Sequence, residues 1–358
     1  MGRTALSLAA VLTLAGGVAA CDGDHGTTGR VGVILPDTKS SARWATADPR
    51  YLKAAFAKAG IEADIQNAQG DKNRFQTIAD GMIASGVTVL MIVNLDSGTG
   101  KAVLDKARQA GIATIDYDRL TLGGGADYYV SFDNVAVGKL QGEGLVSCLA
   151  GKPRSTPKVA RLHGAPTDNN ATLFRQGYDA VLEPKFGSGE YAKGPDQAVP
   201  EWDNAQAGTM FEQMLTSHQD IDAVLAANDG LANAAIGVLR KNRLNGEVLV
   251  TGQDATVQGL RNILTGDQCM TVYKAIEQEA DVAIGLAVDL ARGQRPSTAT
   301  TAVLDPETGK NVPAVLLTPK AVTRDTIADV IAAGFVTEQE LCAAEYAAAC
   351  AAAGINPG

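Results

Sequence analysis

Cationic residues are the minority in this chain: 31 Lys and Arg stand against 40 Asp and Glu, for a net charge of -9. A partner with a phosphate backbone demands a cationic surplus, so nucleic-acid binding is excluded. Histidine is scarcer still. His25, His163 and His218 are dispersed, none shares a metal-ligand spacing with cysteine, and each reads as a surface or loop residue, so no metal and no cofactor is expected. Ser/His/Asp and Cys/His sets are missing where the polar residues gather, which removes the usual nucleophilic routes to catalysis. The apolar run Ala5 to Ala20 falls short of the ~20 residues that cross a bilayer.

That run has a different purpose. Arg3 supplies a short positive flank, and Val18-Ala19-Ala20-Cys21 closes the stretch with small residues, the pattern of an export signal. Val-Ala-Ala-Cys resembles the bacterial lipobox, in which the cysteine is lipidated and becomes the mature N-terminus. Residues 1–20 are therefore expected to be a signal peptide and 21–30 a polar tether lipidated at Cys21, which would hold the protein on the outer face of the cell membrane by its lipid alone. Setting Cys21 aside leaves Cys148, Cys269, Cys342 and Cys350. An even number in an oxidising compartment predicts two disulfides among three connectivities. Cys148 and Cys269 share one α/β unit, and Cys342 and Cys350 are neighbours near the end, so these pairs are expected. Helical residues eight apart lie ~12 Å apart along the axis, beyond disulfide reach, so the second pair requires a helix break near Tyr346.

The body alternates strand and helix. Val31 to Leu35, Ile61 to Gln66, Val87 to Val93 and Ile112 to Tyr117 are short runs rich in β-branched residues, separated by helical periodicity. Gly60, Gly86 and Gly111 stand where each helix stops and the next strand starts, the place for a left-handed residue. The same grammar resumes after Phe132, and the chain exceeds the size at which one core stops growing, about 250–300 residues. Two α/β units are predicted, each with a parallel sheet covered by helices.

Five predicted strands end in polar clusters: Thr114 to Arg119, Arg161 to Gly164 running on to Asp168-Asn169-Asn170, Ala226 to Asp229, Gly252 to Asp254, and Thr271 to Lys274. Ligand crevices in open α/β sheets lie outside the carboxyl ends of strands, so these clusters converge on one pocket. Its amides, carboxylates and cations suit a polyhydroxylated ligand better than catalysis.

Ser41-Ala42-Arg43-Trp44, Tyr117-Asp118-Arg119-Leu120, Ser131-Phe132-Asp133-Asn134, Asp168-Asn169-Asn170-Ala171, Gly252-Gln253-Asp254-Ala255 and Val272-Tyr273-Lys274 resemble, in order and spacing, the xylose-binding branch of the type I periplasmic sugar-binding proteins. The resemblance implies an α/β fold of two Rossmann-like lobes joined by a three-strand hinge, with the ligand in the cleft between them. It places 31–132 with about 275–303 in the N-terminal lobe and 133–274 with about 304–335 in the C-terminal lobe, followed by a helical extension, 336–358. It further implies that Arg43, Asp118, Arg119, Asn169 or Asn170, Asn228, Asp254 and Lys274 hydrogen-bond a monosaccharide. Trp202 would stack on the sugar ring, with Trp44 as a second aromatic. D-xylose is the expected ligand, with glucose, galactose or arabinose as rivals, and a monomeric protein would hand it to an ABC permease and, through that, to its ATPase. A sugar-responsive repressor would need an N-terminal helix-turn-helix where the leader stands. A sugar-acting α/β enzyme would have to work with paired carboxylates alone.

Overall fold

The computed structural model describes residues 1–2, 29–152 and 154–355; the expectations for the leader, for Cys21 and for His25 lie outside them. The first lobe opens with β1 (Val31–Leu35), α1 (Ala47–Ala59), β2 (Ala63–Asn67) and α2 (Lys72–Ala84). It continues through β3 (Val89–Ile92), α3 (Ser97–Gln109), β4 (Ala113–Tyr117) and β5 (Tyr128–Phe132). Both β1 and β3 are buried at every residue, as expected of parallel strands covered on both faces. Leu52 and Phe56 pack on one face and Phe75, Met82 and Leu104 on the other. Gly60, Gly86 and Gly111 adopt φ of 68°, 81° and 72°, so the predicted joints are the left-handed ones.

The second lobe runs α4 (Asn134–Gly151), β6 (Lys158–His163), α5 (Asn169–Gly187), β7 (Ala192–Ala198), α6 (Asn204–Ser217) and β8 (Ala223–Ala226). It ends with α7 (Asp229–Lys241), β9 (Leu249–Val250), α8 (Val257–Thr265) and β10 (Thr271–Tyr273). Its sheet has the order β7-β6-β8-β9. β7 escaped the sequence reading because Gly194 and Pro195 interrupt it, and its place at the sheet edge is what tolerates them. Helices α4 and α5 cross closely: a Cβ on Gly138 would sit 1.9 Å from the Phe174 carbonyl oxygen, and one on Gly177 would sit 2.1 Å from that of Val135.

The chain then returns to the first lobe as α9 (Ile276–Ala291), β11 (Thr301–Asp305) and β12 (Lys310–Leu317), completing a sheet of order β11-β12-β5-β4-β3-β1-β2. Residues 304–335 were expected in the second lobe, and here the structure corrects the reading. β12 pairs in parallel with β5, Ala314 opposite Tyr129 through Leu317 opposite Phe132, and buries Val312 and Ala314 with Leu120 and Tyr129. A strand's choice of lobe depends on such distant partners, which local periodicity does not reveal. Only from β13 (Lys320–Val322), paired with β10, does the chain lie on the second lobe. The lobes are thus linked by three crossings, after β5, β10 and β12, and Asp133 N donates to Leu317 O at 2.9 Å where two of them run side by side.

The last segment comprises α10 (Ile327–Ala332), α11 (Glu338–Leu341) and α12 (Ala347–Ala352), with a 3-10 turn at Ala344–Tyr346. The break expected near Tyr346 is there, and both expected disulfides form: Cys342 joins Cys350, with Cα atoms 5.8 Å apart, and Cys148 joins Cys269. Leu341, Cys350 and Ile355 pack on Leu260, Ile263 and Leu264 of α8. A second correction concerns His163. It is buried on β6, between the Tyr178 hydroxyl and the Asp196 carboxylate, rather than in a loop, and burial lowers its pKa against the opposing effect of Asp196. Among the described residues no helix is long and apolar enough to cross a membrane.

Candidate ligand-binding site

The site is built at the carboxyl ends of the strands of both sheets. After β1, Asp37 Oδ1 accepts from the backbone N–H groups of Lys39 and Ser40 at 2.7 and 2.6 Å, fixing a tight turn. Ser41 then caps a 3-10 helix, Ala42–Trp44, which turns Arg43 inward. Asp118 follows β4 with φ of 61°. Simple alternation would put it on the same face as Asp116, but the left-handed backbone breaks that register. Asp116 is instead buried against Thr121, accepting from its N and Oγ1 at 2.7 Å each, and burial pushes its carboxyl up to about 7. Asn228 caps α7 by accepting from Leu231 N, while Asp254 and Lys274 follow β9 and β10.

These groups meet in one buried cluster. Arg43 Nη1 donates to Asp118 Oδ2 at 2.7 Å, Nη2 to Asp48 Oδ1 at 2.7 Å and to Glu279 Oε2 at 2.6 Å, and Nε to Asp48 Oδ2 at 2.8 Å. Lys274 Nζ lies 3.5 Å from Asp118 and 3.3 Å from Asp254. Arg119 Nε lies 3.1 Å from Asp168. Burial alone would raise the Asp118 carboxyl, but Lys274, Arg43 and Arg119 together outweigh it and hold it at about 2. Glu279 goes the other way: burial, reinforced by Asp118 and Asp48 against the pull of Arg43, raises it to about 8. It therefore carries a proton at neutral pH.

That proton has a consequence for stability. Between the ordinary 4.5 and about 8 the folded state holds a proton at Glu279 that the unfolded state has lost, so this group's contribution to stability falls as pH rises through that window. Glu279→Gln keeps a neutral polar group in place and should flatten the fall. Thermal unfolding at pH 6 and pH 9 checks this, and an equal loss of melting temperature in variant and wild type would contradict it.

Of the residues expected from the sequence, Arg43, Trp44, Asp118, Arg119, Asn170, Trp202, Asn228, Asp254 and Lys274 line one small cavity of about 30 Å³ between the lobes. Asn169 does not. Asp168 caps α5, leaving Asn169 half-buried in its first turn, while Asn170 is the residue turned inward, donating to Asp118 Oδ1 at 3.2 Å and accepting from Asn134 at 2.9 Å. Trp202 is fixed by its Nε1–H, which donates to Asp168 Oδ2 at 3.0 Å, and by an edge contact with Phe174. Trp44 lies beneath two cations, with the guanidinium carbons of Arg43 and Arg119 4.3 and 5.7 Å from its ring.

Sequence reasoning missed Asp48 and Glu279, whose helical positions carry no motif, and left out Asp168 although it stood inside a quoted cluster. Gln253 also lines the cavity, and its Oε1 finds no partner among the described residues. Asp229 braces the site from behind Asp254: it accepts from Gln268, Thr271 and Thr256, and burial raises it to about 6. The lobes touch over the cavity, where Ser41 Oγ donates to Asp254 at 2.6 Å and Asn228 Nδ2 to Ser40 O at 2.9 Å.

Two lobes, three crossings and a polar interlobe cavity agree with a match of residues 31–295 to the periplasmic binding protein domain. The chain belongs to the periplasmic binding protein family. This binding protein is 37% identical to the D-xylose-binding periplasmic protein of Escherichia coli over 88% of its own length and 94% of the relative's. It is 35% identical to the D-xylose-binding periplasmic protein of Haemophilus influenzae over 93% and 98%. A carbohydrate transporter solute binding protein from Chloroflexus aurantiacus, solved with D-glucose, superimposes with a TM-score of 0.78 at 30% identity, covering 87% of this chain and 97% of that one. Its α/β fold is of the two-lobed type I, its relatives are transport binding proteins rather than enzymes, and it works outside the cytoplasm.

Proposed function

We propose that this binding protein captures a monosaccharide, D-xylose foremost, by closing its lobes, and delivers it as a monomer to an ABC permease. The observation that carries the reading is the convergence of Arg43, Arg119 and Lys274 with Asp118 and Asp254 in one interlobe cavity. A carboxylate accepts from two neighbouring hydroxyls and a guanidinium donates through a planar fork, so such a set can saturate a sugar with charge-assisted hydrogen bonds. Asn170 and Asn228 add amide partners, and Trp202 offers a ring face for the apolar C–H side of the sugar. The D-xylose-binding relatives support a pentose.

D-glucose is the second reading, favoured by the sugar bound in the Chloroflexus aurantiacus protein. Calorimetry of the purified protein against a panel of aldopentoses and aldohexoses decides between them, and absence of saturable binding to every member would remove the monosaccharide reading. Lipidation of Cys21 is part of the proposal, because the tether has no other apolar stretch to hold a membrane. Cys21→Ala should release the protein from the cell membrane or block its maturation, and fractionation showing unchanged membrane retention would disprove the anchor.

A further inference from the structure

Beside this inner cavity lies a second chamber of about 330 Å³, walled by both lobes. Ser40, Arg119, Asp168 and Trp202 face both spaces. Although the lobes are already in contact through Ser41–Asp254, Ser40–Asn228 and Lys39–Asn204, this chamber keeps its volume. A protein enclosing one sugar ring has no need of it.

The backbone marks the same place. Among the described residues eight that are not glycine adopt positive φ, a conformation that persists only where the surroundings impose it and that gathers at ligand clamps. Three of them, Asp118, Asp254 and Trp202, face the inner cavity. Gln69 (φ 59°) from the first lobe and Glu201 (φ 54°) from the second face the outer chamber, and Trp202 (φ 57°) faces both. The side chains of Gln69 and Glu201 are exposed there, one an amide and the other a carboxylate, and the Lys39 ammonium lines the same wall. An amide, an acceptor, a cation and an aromatic ring are the elements of a carbohydrate subsite.

We infer that the outer chamber takes the second ring of a short glycoside, so that the ligands of this protein include disaccharides whose first ring occupies the inner cavity. The inference rests on the monosaccharide reading and extends it. Gln69 and Glu201 contact the second ring alone.

Titration with xylose and with xylobiose, on the wild-type chain and on Gln69→Gly/Glu201→Gly, tests this. Glycine accepts positive φ without steric strain, so the double variant deletes both side chains, and with Gln69 only its exposed hydrogen bonds to Thr38 and Asn67. The wild type is expected to bind xylobiose within about tenfold of xylose, and the variant to lose about tenfold in xylobiose affinity while its xylose affinity stays within about twofold. Xylose binding without any saturable xylobiose binding, or xylobiose binding unchanged by the double substitution, overturns the inference and leaves the monosaccharide reading intact. Binding of neither sugar by the wild-type chain removes the xylose reading and this inference together, and leaves D-glucose to the calorimetric panel.

Discussion

Arg43→Met should cost this protein both its ligand and much of its stability. The guanidinium is the common partner of Asp48, Asp118 and Glu279, all buried. Methionine nearly fills the space, so packing is roughly conserved and the loss is electrostatic. Removing one member of a buried, hydrogen-bonded charge set leaves the others uncompensated, at a cost of about 3–5 kcal/mol in folding. Binding loses a fork donor as well, for which about 2–5 kcal/mol is the usual range, a fall in sugar affinity of tens to thousands of fold. Chemical denaturation and calorimetry read the two effects separately. A variant with wild-type affinity would show that Arg43 only braces Asp118 and does not face the ligand.

Gly164→Ala should disable the aromatic wall without replacing any charged group. A Cβ at residue 164 would lie 2.1 Å from two carbons of the Trp202 ring, and that ring is buried and tied through Nε1 to Asp168. The ring must therefore move. With it goes the stacking face, worth about 0.5–1.5 kcal/mol, and Asp168 loses one of the two groups that orient it toward Arg119. A drop of about tenfold in sugar affinity is expected, together with a shift in tryptophan emission as the indole leaves its packed position. Unchanged emission and unchanged affinity would mean that the loop absorbs the methyl group and that Trp202 has no ligand contact to lose.

Four strands of the first lobe, β1 to β4, were readable as short runs, three of them following a glycine that ends the preceding helix, whereas β5 escaped that reading. Val31–Leu35 coincides with the observed strand, and the φ values at Gly60, Gly86 and Gly111 follow from helix endings that only glycine accommodates cheaply. The polar strand ends were readable for a topological reason, since parallel strands deliver their carboxyl ends to one side wherever the sheet is built. Asn169 shows where such reasoning stops. Two adjacent asparagines follow a capping aspartate, and only the pitch of α5 decides that Asn170 is the one that meets Asp118.

By itself the sequence determined the alternation of strand and helix, the side of the sheets on which a site can form, and the chemistry available to that site. These depend on residue order and local conformational preference. Tertiary structure decided the rest. It kept β12 in the first lobe beside β5, brought Asp48 from α1 and Glu279 from α9 to the two sides of one guanidinium, and raised Glu279 while lowering Asp118 in the same cluster. Strand pairing between distant segments and the field inside a buried cluster are sums over neighbours that are remote along the chain. Periodicity, spacing and propensity describe only what is near.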